Sequence, residues 1–333
     1  MYELLGISVI LAALMLLNAG ASLITALLWR LTAPVVASYS ARTRSELLFT
    51  VRMAAPAFAV LAVLLLVIPS YVDYEPRATP EVVSKKLAAL ALLSLASIAF
   101  ALWRTVRSVR ATAELRKQWL SQAEPIRMPG IGVPAFRIPH HFPIIAIVGT
   151  WRPKLFIADN VLSSLSEEEM AAAIAHECGH LAARDNLKRT LLRLCRDSLL
   201  LVPFGRTVER LWADNAESAA DEFAARQSAA TALNLASALV TIAKMVPVGA
   251  RADVPLGAYL VGAEGTQGVK SRIRRLIEMG SNNSLKPTSS SLSHLLPVLS
   301  LIIFAVIAAI FASNAQILLG VHAILEIAVQ LLC

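Results

Sequence analysis

Charge is the first thing this chain is short of. Only 16% of its 333 residues are Asp, Glu, Lys or Arg, against 56% hydrophobic, where a soluble globular chain carries about a quarter charged residues. With a mean hydropathy of +0.63 the chain is too apolar for an ordinary soluble protein, and its long uncharged runs point to segments that cross a bilayer. Cysteine is scarce as well. Cys178, Cys195 and Cys333 are odd in number and far apart, which suggests no disulfide framework. Histidine is limited to six residues. There is no Ser-centred nucleophile motif, no phosphate-cradling Gly-rich loop and no solenoid-type repeat. What the chain does have is a net charge of +8 and a pI near 9.7. Much of its Arg and Lys flanks the apolar runs, where cations set membrane orientation, so the lipid bilayer is the expected partner and nucleic acid is not.

The apolar runs organise the chain. Residues 4–29, 53–72 and 87–103 read as three transmembrane helices within 1–103. Pro56 and Pro69 lie near the ends of the second, where helix breakers are tolerated. The first run is too long for a signal-peptide core, and Met1-Tyr2-Glu3 ahead of it has no cationic side chain. Arg30, Arg42, Arg44 and Arg52 lie between the first two spans, and Arg104, Arg107, Arg110, Arg116 and Lys117 follow the third. By the positive-inside rule both regions are cytoplasmic; Lys85 and Lys86 oppose that orientation. Trp29 and Trp103 read as interface anchors at span ends. From 104 to 283 the composition turns mixed, as expected of a domain with its own core. A Ser-, Asn- and Gly-rich stretch, 280–293, reads as a flexible linker whose extent between domains is 284–294. Residues 295–313 form a fourth expected span. Residues 314–333, with His322 and Glu326 one turn apart, read as an interfacial helix or a fifth span.

Within the mixed domain, 144–148 and 154–158 are β-branched or aromatic-rich runs separated by Gly149-Thr150-Trp151-Arg152-Pro153, a hairpin or two adjacent strands. Ser166 and Glu169 form a capping-box pattern that starts a helix. That helix carries His176-Glu177-Cys178-Gly179-His180. Histidines four apart share a helix face and can reach one metal ion, and Glu177 sits about 100° around the helix from His176. A catalytic zinc takes three protein ligands and keeps a position for water, whose pKa it lowers towards about 7. Glu177 is placed to take a proton from that water and pass it to a leaving amine.

A third ligand is needed, and Glu217 in Glu217-Ser218-Ala219-Ala220-Asp221 is the leading candidate, with Asp221 one turn further to orient a ligand histidine. Asp214 and Glu222 on the same stretch remain rivals. Further helical stretches are expected at 186–201 and 208–232, and a basic amphipathic helix at 269–279 with Lys270, Arg272, Arg274 and Arg275 lies at the membrane surface or covers the domain. His140 and His141 on an extended segment point apart and suit a loop or capping role; His294 is interfacial.

The motif His176 to His180, followed by Leu181, Arg184 and Asp185 and then by Glu217 to Asp221, resembles the gluzincin arrangement of integral-membrane metallopeptidases. Two related families share it: the β-lactam-sensor/signal-transducer membrane peptidases, and the CAAX prenyl endopeptidase and heat-shock membrane protease family. The stretch Gly149-Thr150-Trp151-Arg152-Pro153-Lys154-Leu155-Phe156-Ile157, ahead of Leu165-Ser166-Glu167-Glu168-Glu169, is similar to the first family, as is Ser271-Arg272-Ile273-Arg274-Arg275-Leu276. So is the order of three spans, zinc domain and fourth span. The resemblance covers roughly residues 85–313.

It implies a mainly α polytopic membrane protein of the bacterial inner-membrane type. An α+β zinc-metallopeptidase domain, a small sheet plus the motif helix, would be inserted between transmembrane helices and face the cytoplasm. It implies His176, His180 and Glu217 as ligands of one Zn2+ per chain, Glu177 as general base and Asp221 as a supporting residue. Leu155, Phe156, Ile157 and Ala158 are the strand expected to hold a protein or peptide substrate by edge pairing. The implied activity is zinc-dependent endopeptidase action on a regulatory or membrane-associated protein, in signal transduction or as a heat-shock/prenyl-type quality-control or maturation protease. A non-catalytic signalling scaffold is the reading of another class, opposed by the intact Glu177. No penicillin-binding domain follows the fourth span, so antibiotic sensing is not carried over.

Overall fold

Three helices much longer than a bilayer needs carry the first apolar runs. In the computed structural model, which describes residues 1–77, 83–197, 204–246, 265–282 and 296–332, α1 is Tyr2–Val36. Helix α2 (Ala41–Ala62) passes through a π-helical turn, Val63–Val67, into α3 (Ile68–Tyr74), so that Ala41–Tyr74 is one 34-residue helix. Helix α4 is Lys85–Leu120. At about 1.5 Å per residue each is about 50 Å long, against a hydrocarbon core of about 30 Å. The cationic connection expected between the first two spans is therefore mostly helix, and only residues 37–40 turn. Ser40 and Ser84 cap α2 and α4 by accepting from the Thr43 and Leu87 amides. The expected tolerance of Pro69 has a local cause. Its ring lacks an N–H and would press on the carbonyl of Leu65, and the wide π turn directly ahead of it relieves that clash.

The bundle has two distinct ends. At one, the Tyr71 hydroxyl donates to the Tyr2 carbonyl (2.7 Å), and Leu5, Val9, Ala12, Tyr71 and Leu87 form an apolar cluster. Helix α12 (Ala315–Leu332) is long and apolar enough to cross a membrane, yet both its ends meet this same end of the bundle. Ser70 Oγ donates to the Leu318 carbonyl (3.0 Å), Ser84 Oγ to the Leu332 carbonyl (2.8 Å), and Val329 joins the Leu5–Tyr71–Leu87 cluster. So α12 lies across the bundle rather than along it. The expected fourth span is α11 (Leu296–Ala312), 17 residues, near the lower limit for crossing; its Phe304 ring sits 4.9 Å from Phe58 of α2.

The mixed domain docks on the opposite end. Leu48 and Phe49 of α2 pack with Leu192, Trp212 and Ala216, while Lys188 Nζ lies 2.6 Å from the buried Glu46 carboxylate. The sheet has strand order β1-β2-β4-β3, from β1 (Glu124–Ile126), β2 (Ala135–Ile138), β3 (Ile145–Val148) and β4 (Lys154–Ala158). Strands β3 and β4 are the expected adjacent pair, antiparallel with Ile145 opposite Ile157; β2 joins β4 in parallel. Strand β4 is thus central, with β2 on one side and β3 on the other. This corrects the expectation that Leu155, Phe156, Ile157 and Ala158 pair with substrate: both edges are already bonded, and the free edge nearer the motif helix belongs to β3.

Below the sheet run α5 (Asp159–Ser164), α6 (Glu167–Ala183), α7 (Asp185–Asp197), α8 (Phe204–Ala225), α9 (Ala229–Met245) and α10 (Gly265–Asn282). Apolar side chains of the strands, α6 and α9, with Leu276 of α10, make one core. The helix expected to continue to 232 breaks at 226–228, where Ser228 caps α9 by accepting from the Thr231 amide. The linker 284–294 and His294 lie outside the described residues. Residues 280–282, read as the start of that linker, instead finish α10; a Cβ on Gly280 would press on Leu233 of α9 at 2.8 Å, so this glycine serves helix packing.

Candidate metal centre

Helix α6 is begun by the expected capping box. Ser166 Oγ accepts from the Glu169 amide and Glu169 accepts from the Ser166 amide, while three glutamates occupy the positive first turn. It ends at Arg184, whose φ of 53° is the left-handed cap conformation. The face carrying His176 and His180 turns towards α8. At the crossing, a Cβ on Gly179 would sit 3.0 Å from Ala220 Cα and 3.2 Å from Phe223 Cβ, so the helix backbones meet where the motif has its glycine. Glu217 and Asp221 lie three residues before and one after Ala220, which puts both carboxylates beside the histidines.

The two imidazoles are buried, edge to face, with Nε2 atoms 3.2 Å apart. Glu217 Oε2 is 3.6 Å from His176 Nε2 and its Oε1 is 3.6 Å from His180 Nε2. One ligand atom from each of these residues lies within 4.8 Å of the other two. Ligands placed about 2.0–2.1 Å from a tetrahedral ion stand about 3.3 Å apart, close to these separations. Behind the imidazoles, His180 Nδ1 is 2.7 Å from Asp185 Oδ2 and His176 Nδ1 is 3.0 Å from Asp221 Oδ1, the latter too poorly aligned for a well-formed hydrogen bond. A carboxylate behind each ring is what fixes a ligand histidine's tautomer and orientation.

From α10, Arg272 enters the site with 3% exposure. Its Nε and Nη2 donate to Asp221 Oδ2 and Oδ1 at 2.9 and 2.7 Å, a two-pronged grip, and its Nη1 stands 3.2 Å from Glu217 Oε2. Arg275 reaches Asp221 Oδ2 at 3.4 Å. Burial raises the Asp221 and Glu217 carboxyls, but Arg272 and His176 at Asp221, and His180, His176 and Arg272 at Glu217, outweigh it and hold both well below the usual carboxylate range. Burial likewise pulls both imidazoles down. Asp221 and Glu217 more than reverse this for His176, and Glu217 and Asp185 drive His180 up to about 10. The common cause is the pairing of these buried acids with Arg272 and the two imidazoles. Glu177 is the exception. Burial raises it, and the neighbouring imidazoles offset this only in part.

The residues suit a zinc ion. Two imidazole nitrogens and a carboxylate are a zinc donor set. Both Glu177 oxygens are buried beside them without a well-formed hydrogen bond, and such unsatisfied polar atoms mark a place for a further partner.

The rival ligands stand elsewhere. Glu222 turns to α2, where it accepts from the Ala41 amide (3.2 Å), and Asp214 is outside the cluster. His140 Nδ1 accepts from the Phe142 amide (3.1 Å), a loop contact. The sequence places Asp185 and Arg272 in stretches that carry the resemblance, and Arg272 in a basic helix at the membrane surface or over the domain, but gives neither a role at the metal; Asn186 it gives none at all. Asp185 opens the helix directly after the motif helix, which is what brings its carboxylate behind His180. Asn186 Nδ2 donates to the Ile147 and Gly149 carbonyls at 2.9 and 3.2 Å, tying α7 to the end of β3.

Residues 110–260 match the model of Peptidase family M48, somewhat less than half of the chain, and the match supports a metallopeptidase. A search of curated proteins finds no match.

Proposed function

We propose that this chain is a membrane-embedded zinc endopeptidase that cuts an extended segment of a membrane-associated protein. The observation that carries the reading is the convergence of His176, His180 and Glu217 ligand atoms within 4.8 Å of one another, beside a buried Glu177. A bound zinc ion supplies Lewis acidity, acidifying water and polarising the scissile carbonyl. The chain's own groups do the rest. His176 and His180 offer Nε2 and Glu217 a carboxylate, while Asp221 and Asp185 keep the rings in place. Glu177 takes the proton from the attacking water and delivers it to the leaving amine, and the burial that raises its pKa makes it a stronger base. Strand β3 offers the substrate its outer edge. Ile144 pairs inward, its carbonyl accepting from the Ala158 amide, so by alternation Ile145 and Ile147 turn their backbone groups outward, the Ile147 carbonyl being already taken by Asn186. The cationic flanks of the first and third spans favour a cytoplasmic site, at the end of the bundle where α2 begins.

Glu177→Gln tests this. The variant should hold zinc as the wild type does and cleave an unfolded protein about 10²–10⁴-fold more slowly. Wild-type cleavage by that variant would remove Glu177 from the reaction. Mapping fragments that vanish from cells carrying it would separate a regulatory substrate from damaged membrane proteins.

A further inference from the structure

Next to the metal-ligand cluster is a cavity of about 360 Å³ with Glu177 and His180 on its wall. Ile147, Trp151 and Pro153 from β3 and the following turn face Leu181 and Leu187 from α6 and α7 across it. The interior is thus largely apolar, and its volume is at the small end of ligand sites, enough for a side chain and not for a folded element. Trp151 lines it and is 85% exposed.

The cavity has one cation among its lining residues, and two further arginines lie on or beside the turn that borders it. Arg184 lines it from the left-handed cap of α6, with its side chain exposed. Arg152 is exposed in the turn, and Arg116 from α4 brings its Nη1 within 3.4 Å of where a Cβ on Gly149 would stand. The carboxylates lining the cavity are Glu177, at its inner wall, and Asp185, already bonded to His180.

The direction of the substrate follows from the strand. Strand β3 runs from Ile145 towards this cavity, so a chain paired antiparallel to it places its N-terminal side at Gly149. Asn186 already donates to the Ile147 carbonyl, so edge pairing ends there and recognition passes to side chains.

We infer that this cavity selects a large apolar side chain on the N-terminal side of the cut bond, with acidic residues beside it, and that Arg184 sets the charge preference. The inference rests on the peptidase reading above. It assigns Arg184, Leu181 and Trp151 to specificity and none of them to the bond-breaking step.

The test uses the full-length protein in detergent or lipid discs. A mixed peptide library is cleaved and the cut sites are read by mass spectrometry. Wild type should cut after Phe, Leu, Met or Trp with Asp or Glu enriched nearby. Arg184→Gln should flatten the charge preference, and Arg184→Glu should invert it, a swing of about tenfold between acidic and basic peptides. Leu181→Trp should fill the cavity and shift cutting to small residues. In parallel, a labelled Glu-flanked Phe peptide and its Lys-flanked counterpart are bound to Glu177→Gln protein with and without Arg184→Glu. A preference for the acidic peptide that inverts with Arg184→Glu supports the pocket even if the wild type cuts nothing, in which case the peptidase reading alone fails. Equal binding of the two peptides, or cut sites unchanged by Arg184→Glu and Leu181→Trp, overturns the pocket.

Discussion

His322 on α12 and the histidines of α6 begin from the same arithmetic and end differently. His322 has Glu326 one turn away, with Nε2 at 3.5 Å, and Glu75 at 3.9 Å. Glu326 stays 51% exposed. Among the described residues, only His176, His180 and Glu217 bring three ligand atoms within 4.8 Å of one another. Both histidine sites have the i, i+4 spacing that puts two side chains on one helix face. What separates them is convergence: α6 supplies two imidazoles, α8 a ligand carboxylate and a bracing carboxylate, α7 a second brace, and α10 a buried arginine that holds the acids in place. Helical spacing is a beginning, and it becomes a metal site where other elements close round it with the right charge.

The comparison is broken most forcefully by removing a ligand. His180→Ala should abolish stoichiometric zinc and cleavage, read by metal analysis and a peptide assay, while His322→Ala should leave both at wild-type levels. Next comes the arginine. Arg272→Ala takes the cation from Glu217 and leaves Asp221 with only the longer arginine contact from Arg275, and should lower stability by about 3–5 kcal/mol in denaturant unfolding and weaken zinc binding by about 10–100-fold. Arg272→Lys should recover only part of this, because an ammonium cannot grip both Asp221 oxygens as the guanidinium does.

A smaller effect is expected at the helix crossing. Gly179→Ala adds a methyl 3.0 Å from Ala220 Cα, and separating the helices should reduce stability by about 1–3 kcal/mol, measurable as a lower Tm, and loosen zinc. Acidity sharpens the contrast further. In chelator-treated protein the His180 pKa is raised to about 10, above its unfolded value of about 6.5. Its stabilising charge is fully present below about pH 6.5 and is lost as pH rises through 10, so the metal-free protein should show a falling Tm over that window. Removing His180 should flatten this slope, leaving the part that the raised pKa of His176 contributes. Smallest of all, His322→Ala should change stability by no more than about 1 kcal/mol, since its Glu326 partner is half in solvent.

Much of the site is legible in sequence because local rules govern it. The capping pattern at Ser166 and Glu169 places the start of α6, the four-residue spacing puts His176 and His180 on one face, and Glu217 and Asp221 repeat that spacing on α8. The rest depends on contacts that no local pattern encodes. Leu155, Phe156, Ile157 and Ala158 read as a strand, but whether a strand is an edge is decided by its neighbours. The pairing with β2 that makes β4 central comes from Ala135–Ile138, a short run set among the prolines and glycines of 125–143. Arg272 stands 51 residues beyond Asp221 and looks like any other cation of a basic helix until α10 folds back on α8. Helix α12 is apolar enough for a span, and only the bonds from Ser70 and Ser84 to its two ends reveal that it lies across the bundle.

The central claim is that His176, His180 and Glu217 together hold a zinc ion. Metal analysis of purified full-length protein, wild type beside Glu217→Ala, tests it most directly. The expected result is one zinc per chain in the wild type, stripped by chelator and restored by zinc, and far less in the variant. Zinc held equally well by Glu217→Ala, or a wild type that takes up none, would contradict it.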